Sequence, residues 1–170
     1  DADLQAVAIL GDQYRAFLDN GKTERQCVTQ SVVAAKAAGY RDLKEFIANG
    51  TEIKDGDKVY YTHMDKSIAL FNIGTDDIEL GMNILGAHID SPRIDVKQNP
   101  QYEDSNLVFW DTHYYGGIKK YQWVAMPLAI HGVVVKKDGT IINLSIGDKE
   151  NDPVFCITDL LPHLGQEQME

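Results

Sequence analysis

The chain has 170 residues, of which 44% are hydrophobic, and its 16 basic and 26 acidic residues give a formal net charge of −10. This negative balance argues against nucleic acid and against an anionic membrane surface as partners. The hydrophobic content is too high for a disordered chain, and no apolar run approaches the ~20 residues of a membrane span. We therefore expect a globular protein with neither nucleic acid nor membrane among its partners.

Three helices are predicted in the first fifty residues. Apolar residues recur at helical spacing over residues 3–18. The run Thr-Glu-Arg-Gln at residues 23–26 is typical of a capping box and predicts a second helix that ends near Gly39. A short third helix is expected over residues 42–50, where Asn-Gly ends it.

Strands are predicted after the helices. Residues 58–62 and 67–73 have the composition of two strands, and the apolar run at residues 82–88 suits the centre of a sheet. A polar, proline-containing stretch at residues 98–101 marks a soft domain boundary. Residues 1–97 are therefore expected to mix helix with strand in an α/β fold, and the remainder to be mainly β.

The second half carries turn signals between short apolar runs. Strands are predicted at residues 106–110 and 154–157, and a hairpin with an Asp-Gly turn at residues 133–142. A final helix is expected from Thr158, with Pro162 near its start. The many aromatic residues of this half either fill a small β core or line an interface, and the sequence leaves both possibilities open.

The chain has two cysteines, Cys27 and Cys156, which lie far apart in sequence. Two cysteines in a chain of this length do not form a disulfide framework. We interpret both as small buried apolar residues, and not as a bridge, a metal ligand or a nucleophile. This cysteine usage, and the lack of a signal-peptide pattern in the sequence, fit a reducing cytoplasm best.

His88 and Asp90 carry the clearest chemical signal. Residues two apart on a strand face the same side, so the pair would share a face at the carboxyl end of the predicted strand 82–88. Open α/β sheets place ligand sites at such ends. A metal-bound imidazole usually donates its second N–H to a carboxylate, a part that Asp90 could play directly or through a bound water. A core histidine beside a turn aspartate is the alternative interpretation.

Other polar residues give weaker signals. Asp111 and His113 repeat the two-residue spacing among aromatic neighbours, and we assign them to surface or interface packing. A different metal hydrolase, in which these residues or Asp95 complete the site, is a weaker hypothesis. Asp95 lies five residues after Asp90 and would face the opposite side of a continuous strand.

Residues 86–97, which read Gly-Ala-His-Ile-Asp-Ser-Pro-Arg-Ile-Asp-Val-Lys, resemble the aspartyl aminopeptidase family of dinuclear zinc exopeptidases. That family carries a Gly-x-His-x-Asp-Ser-Pro segment followed by a basic strand. The resemblance extends upstream over residues 67–74 and downstream to residues 115–117, 127–134 and 161–164. Most of the chain is therefore covered in order.

The resemblance implies that His88 is a zinc ligand and that Asp90 is the carboxylate that supports the metal site and counts among the catalytic residues. It implies two zinc ions per complete site, hydrolysis of N-terminal residues from peptides, and a glutamate as general base. It also implies an α/β/α exopeptidase sandwich, with residues 1–97 in the catalytic domain and residues 98–170 in an inserted β-rich dimerisation domain. Such enzymes self-associate into dimers and larger assemblies, and we expect a dodecamer that acts on peptide substrates.

The chain departs from the family pattern in two ways. It contains no Glu-Glu pair, so we expect the general base and the remaining ligands outside these residues, and we interpret the chain as an N-terminal fragment that is inactive alone. Tyr121 stands where the family has a histidine, which leaves acidic and neutral substrate preferences both open. The alternative function is a non-catalytic β-rich module for oligomerisation or binding.

Overall fold

A computed structural model describes residues 2–168 and divides the chain into two compact units between Asp90 and Ser91. The first unit combines helices with a small sheet, and the second is built from antiparallel strand pairs. The predicted mixture of helix and strand, followed by a mainly β part, is therefore confirmed.

The helices of the first unit are those that the sequence predicts. They are α1 (Ala2–Asn20), α2 (Glu24–Ala37) and α3 (Leu43–Asn49). The predicted capping box precedes α2: the Gln26 amide donates to the Thr23 hydroxyl at 3.3 Å, and Gln26 Oε1 accepts from the Thr23 amide at 3.1 Å. These two bonds satisfy backbone groups that the first turn of a helix leaves unpaired. Within the described residues, no helix is both long enough and apolar enough to cross a membrane.

The sheet of the first unit has three strands in the order β1 (Arg41–Asp42), β2 (Lys58–His63) and β3 (Ser67–Asn72). β1 runs parallel to β2, and β2 pairs with β3 in antiparallel register. The predicted strands at residues 58–62 and 67–73 are thus confirmed, whereas the two-residue β1 has no signal in the sequence.

The core of the first unit is small and lies between α2, α3 and β2. Cys27 is buried there, as predicted. Helix α1 contributes no buried side chain to it, and apart from the half-buried Phe17 its apolar residues stay exposed. The buried side chains of the core are Cys27, Val28, Ala35, Phe46, Val59 and Tyr60.

The predicted central strand at residues 82–88 is wrong. The structure assigns no strand there, and a 3-10 turn, Ile78–Leu80, precedes the segment. The side chains of Ile84 and Leu85 are 80% and 100% exposed. A central strand requires a hydrogen-bonded neighbour on each side, and no strand within residues 2–168 pairs with this segment. The run is therefore apolar enough for a core, but nothing in the described chain covers it.

The second unit begins with a long antiparallel ribbon of β4 (Arg93–Asp104) and β5 (Leu107–Tyr115). β5 confirms the strand predicted at residues 106–110 and extends beyond it. Residues 98–101, where the sequence suggested a boundary, lie inside β4, close to an irregularity in the register. The compact units divide a few residues earlier, before the ribbon starts.

A second hairpin consists of β6 (Ile130–Val135) and β7 (Ile141–Ile146), and it confirms the hairpin predicted around the Asp-Gly turn. The Asp138 carboxylate accepts a hydrogen bond from the Thr140 amide at 2.9 Å. This bond to the backbone lowers the pKa of Asp138, because it stabilises the ionised carboxylate.

The predicted strand at residues 154–157 is wrong, since only isolated bridges form there. Phe155 bridges Leu128, and Ile157 bridges Val124. Cys156, which lies between the two bridges, is exposed, so its predicted burial is also wrong. Each bridge pairs a single residue, and the residue between the two bridges stays exposed to solvent.

The predicted helix from Thr158 is wrong as well. Residues 158–165 contain no helix, and a 3-10 turn, Gln166–Gln168, follows them. Leu161 and Leu164 are 72% and 69% exposed, so a helix here would have no packed apolar face to stabilise it. The last two residues of the predicted helix, 169 and 170, lie outside the described residues.

Candidate metal site

The structure brings together the two residues on which the sequence prediction of a metal site rests. His88 and Asp90 lie in a segment without helix or strand at the end of the first unit, after the apolar segment 82–87. His88 Nδ1 is 3.1 Å from Asp90 Oδ1 and 3.0 Å from the Asp90 carbonyl oxygen. The two side chains are therefore in contact, as their spacing of two residues predicted.

This contact decides which nitrogen of His88 is available for other partners. With its proton on Nδ1, the imidazole donates to Asp90 and keeps a lone pair on Nε2. The His88 side chain is 85% exposed and that of Asp90 is 37% exposed. An ion pair this exposed contributes only about 0–1 kcal/mol to stability. The contact therefore adds little to folding, and it has the arrangement in which a carboxylate orients a metal-binding imidazole.

The pair matches part of a zinc site. Zinc is bound by about four ligands, with histidine nitrogen and carboxylate oxygen among those it prefers. His88 supplies one such nitrogen, and Asp90 supplies the carboxylate behind it. No group of three or more histidine, cysteine or acidic residues that could hold a metal occurs in the described part of the chain. The residues present thus fit one ligand of a zinc centre and its support, but not a closed coordination sphere.

The weaker hypothesis of a site completed by Asp95, Asp111 or His113 has no support in the geometry. Arg93 Nε donates to Asp95 Oδ1 at 2.7 Å, and Lys97 Nζ donates to Asp111 Oδ2 at 2.9 Å. Each carboxylate is therefore neutralised by a cation of the same ribbon. Asp111 and His113 are exposed, as predicted for surface residues.

One polar cluster was missed by sequence reasoning. His131 Nε2 lies 3.3 Å from Asp148 Oδ1, and the Ser145 hydroxyl donates to Asp148 Oδ2 at 2.5 Å. The His131 side chain is only 12% exposed. In the β6–β7 register, His131 stands directly opposite Ser145. Working out the register of the predicted hairpin would therefore have indicated this cluster from the sequence.

The aromatic residues of the second unit pair with one another and remain partly exposed. Tyr102 stacks on Phe109 with ring centres 5.5 Å apart, and Trp110 lies 5.3 Å from Phe155. Tyr102 is nevertheless 51% exposed and Trp110 41% exposed. The aromatic set therefore forms small clusters on a β surface and does not build a closed core.

Comparison with known proteins supplies the context of this site. The sequence model of the family Aminopeptidase I zinc metalloprotease (M18) matches residues 17–170. A relative from Clostridium acetobutylicum, a probable M18 family aminopeptidase 1, is 54% identical over 170 residues, which are 100% of this chain and 37% of the relative. The crystal structure of aminopeptidase I from Clostridium acetobutylicum has a TM-score of 0.82 at 54% identity, covering 100% of this chain and 37% of that one.

A more distant match, the S. cerevisiae mApe1 dodecamer, has a TM-score of 0.72 at 20% identity over 94% of this chain and 37% of that one, and it shows the fold alone. The described architecture is accordingly similar to M18 aminopeptidase structures. The chain spans about 37% of the length of the curated relative that it matches over its whole extent. The family match over most of the chain confirms the resemblance seen around His88 and Asp90: the chain belongs to the M18 family of aminopeptidase I zinc metalloproteases.

Proposed function

We propose that the polypeptide to which this chain belongs is a zinc-dependent aminopeptidase that hydrolyses N-terminal residues from peptides. The observation that carries the proposal is the 3.1 Å contact between His88 Nδ1 and Asp90 Oδ1, which leaves Nε2 available in a chain of a zinc metalloprotease family. A histidine whose other nitrogen is held by a carboxylate is the usual form of a zinc-bound imidazole.

In this proposal His88 is a zinc ligand through Nε2, and Asp90 fixes the imidazole tautomer and the orientation of the ring. Zinc, when bound, lowers the pKa of a water molecule and polarises the scissile carbonyl. We propose two zinc ions per complete site. The second metal's ligands and the general base then come from residues outside this chain, which accords with the partial ligand set of the described residues.

The two parts of the chain take different roles in this proposal. Residues 1–97 contribute to the catalytic domain of an α/β/α sandwich, and residues 98–170 belong to an inserted β-rich dimerisation domain. The partly exposed aromatic residues of the ribbon favour self-association, since such residues are enriched at protein interfaces. Dimers would assemble further into a dodecamer, the assembly of the mApe1 structure that shares this fold. The free thiols of Cys27 and Cys156 suit an enzyme of the reducing cytoplasm.

The test uses the full-length polypeptide, its zinc content by elemental analysis, and its hydrolysis of chromogenic substrates with acidic and neutral N-terminal residues. His88→Ala should lose bound zinc and at least about a hundredfold in activity, because a metal ligand is removed. His63→Ala is the matched control: it removes an exposed histidine at the end of β2 that is not part of the His88–Asp90 contact. Full zinc content and activity in His88→Ala would refute the proposed site.

A second candidate function is a non-catalytic β-rich module for oligomerisation. It is favoured by the exposed aromatic side chains of the ribbon and by the incomplete ligand set within residues 2–168. The same preparation separates the two functions. A full-length polypeptide that self-associates, contains no stoichiometric zinc and cleaves none of the substrates would support the module and refute the aminopeptidase.

A further inference from the structure

The tip of the β4–β5 ribbon is both apolar and acidic. Asp104 pairs with Leu107 and Tyr102 pairs with Phe109 in the strand register, so these four side chains share one face of the ribbon. Tyr102 stacks on Phe109 but remains 51% exposed, and Leu107 is 59% exposed. Glu103, the neighbour of Asp104, is exposed as well. The tip therefore presents apolar side chains to solvent beside two carboxylates.

The charges at this tip have no ionic partners, unlike those nearer the base of the ribbon. Lys97 and Asp111 form an ion pair across the two strands at 2.9 Å. Within residues 2–168, neither Glu103 nor Asp104 has a cation within ion-pair distance. Asp104 accepts only the uncharged Ser105 hydroxyl, at 3.2 Å. The negative charge of the tip is therefore not neutralised by the described chain.

The turn end of the β6–β7 hairpin carries the opposite charge. Lys136 and Lys137 stand in the turn, both exposed, and neither has an ion-pair partner among residues 2–168. The turn contains one acid, Asp138, so the two lysines leave it positive overall. The last strand pair before the turn is Val135 and Ile141, which are 64% and 57% exposed. This end therefore presents apolar side chains beside two cations.

The two ends lie in the same compact unit, but they do not satisfy each other there. In the described chain β4 pairs with β5 and β6 with β7, and no strand of the ribbon pairs with a strand of the hairpin. No ion pair of the described residues joins the tip carboxylates to the turn lysines. Two complementary surfaces that stay apart within one chain can meet between copies, which makes a heterologous contact.

We propose that the tip of the β4–β5 ribbon docks on the turn end of the β6–β7 hairpin of a second copy of the chain, with Glu103 and Asp104 facing Lys136 and Lys137. The inference deepens the self-association in the proposed function and rests on it, because it names surfaces that meet. Contact removes the exposed apolar side chains of both ends from water. The opposite charges fix the register of the contact and disfavour wrong pairings.

Two hairpin ends alone make a small contact. A stable interface buries about 1,600 Å² in total, which requires more surface than the few residues of these ends. We therefore assign the contact the role of selecting how copies are oriented within an assembly that other surfaces also hold. Charged ribbon ends also occur simply as devices against edge-to-edge aggregation, in which case both ends stay solvated.

Charge reversal in the full-length polypeptide tests the contact. The tip variant carries Glu103→Lys with Asp104→Lys, and the turn variant carries Lys136→Glu with Lys137→Glu. Each variant places like charges opposite each other in the proposed contact. A combined variant with all four changes restores opposite charges, and it has the net charge of the wild type.

A second pair of acidic residues provides the matched control. Glu52→Lys with Asp55→Lys changes the net charge as the tip variant does, in an exposed loop of the first unit. Sedimentation velocity reports the size of the assemblies. A carbodiimide joins carboxylates to lysine amines that are in contact, and a mixture of isotopically light and heavy wild-type copies shows by mass spectrometry whether the joined residues come from two copies.

We expect the tip variant and the turn variant each to associate about tenfold or more weakly than the wild type, because like charges then face each other. The combined variant and the control should associate as the wild type does. An equimolar mixture of the tip and turn variants should associate more strongly than either alone. Raising the salt concentration should narrow these differences, since screening weakens exposed charge pairs. Wild-type cross-links should join the tip to the turn in mixed light–heavy pairs.

Wild-type association of both reversal variants would refute the docking contact, and it would leave the proposed self-association intact. An equal loss in the control would show a general effect of net charge and refute the contact as well. Cross-links found only within single copies would show that the tip docks on its own hairpin. If a reversal variant does not fold, the wild-type cross-links decide the question.

A wild-type polypeptide that stays monomeric would refute the proposed self-association and this inference together. The zinc content and peptide hydrolysis of the same preparation test the proposed aminopeptidase separately. The failure of the docking contact is therefore distinguishable from the failure of the proposed function.

Discussion

Gly147, immediately after β7, provides a sharp test of the packing of the second unit. Its φ is +107°, a conformation that side-chain-bearing residues rarely adopt. An alanine Cβ at this position would lie 2.9 Å from Ala129 Cα and 3.1 Å from Ala129 Cβ. Since the nearer atom belongs to the backbone, the clash cannot be relieved by a change of rotamer. Gly147→Ala should therefore force either β7 or the chain before β6 to move.

The two costs can be separated within the same hairpin. The strained backbone costs about 1–3 kcal/mol, and the overpacking against Ala129 costs about 1–3 kcal/mol more. Gly139 in the turn also has a positive φ, +85°, but no atom lies within 4 Å of its hypothetical Cβ. Gly139→Ala is therefore expected to carry only the first cost. The difference between the two variants, about 1–3 kcal/mol, measures the overpacking against Ala129.

Hydrogen–deuterium exchange of the full-length polypeptide, resolved on peptides of β6 and β7, reports the local opening of this hairpin. A difference of about 1–3 kcal/mol corresponds to about 5- to 150-fold faster exchange in Gly147→Ala than in Gly139→Ala, at about 1.4 kcal/mol per factor of ten. Adding Ala129→Gly to Gly147→Ala should restore part of the protection, because it removes the methyl group of residue 129 but leaves the backbone atom that lies nearest. Equal exchange in the two single variants would refute the reasoning.

Two further predictions concern titrating groups. Burial, and to a smaller extent the charge of Glu24, raises the pKa of the Cys27 thiol, whereas Cys156 is exposed. Iodoacetamide should therefore alkylate Cys156 before Cys27 in the native protein. Equal alkylation rates of the two cysteines in peptide mapping would contradict this prediction. Hydrogen bonds from the backbone amides of Gly147 and Lys149 lower the pKa of the Asp152 carboxyl group. The ionised carboxylate therefore stabilises the folded protein at pH values above the ordinary aspartate pKa of about 3.9. This stabilisation is lost as the pH falls through the lowered pKa of the folded state. An NMR titration of Asp152 with an ordinary midpoint would show that these bonds do not form.

The helices were predictable because their signals are local. The capping box that starts α2 lies within residues 23–26, and the interactions that make it a cap occur between those same residues. The strands β2 and β3 were predictable for a related reason, since a short turn joins them and each is the other's partner. Helices and strands can be predicted from the sequence when the residues that stabilise them lie close to one another in the chain.

The family resemblance implied a basic strand after Pro92, but the residue pattern did not predict the full length of β4, because that pattern is interrupted where the pairing with β5 is irregular. The register shifts between Val96 and Gln101, and Pro100 lies in this irregular part. Proline has no backbone N–H to donate within a sheet, and in sheets it occurs mainly at edges and bulges. The polar stretch that contains Pro100 was therefore interpreted as a boundary between domains. The long ribbon depends on pairing with β5, which composition alone does not reveal.

The errors at residues 82–88 and 154–157 share a physical cause. Both runs are apolar enough for a buried strand, and apolarity was the basis of both predictions. Strand structure also needs a neighbour with matching backbone groups, and the part of the chain that the structure describes provides none for the first run and only isolated bridges for the second. The hydrophobicity of a segment predicts whether its side chains can be buried. Whether the segment forms a strand also depends on another segment that pairs with its backbone.

The candidate metal site also combines local with non-local requirements. His88 and Asp90 were predicted to lie together, and they do, although the strand predicted at residues 82–88 was wrong. Their contact joins residues only two apart in the chain, so it forms without the hydrogen-bonded neighbouring strands that a sheet requires. The rest of a zinc coordination sphere is non-local, and the described residues do not gather it. An exposed contact worth about 0–1 kcal/mol would add little as a folding device. In the proposed function, the contact presets His88 as one zinc ligand, and the other ligands are supplied by other residues of the polypeptide.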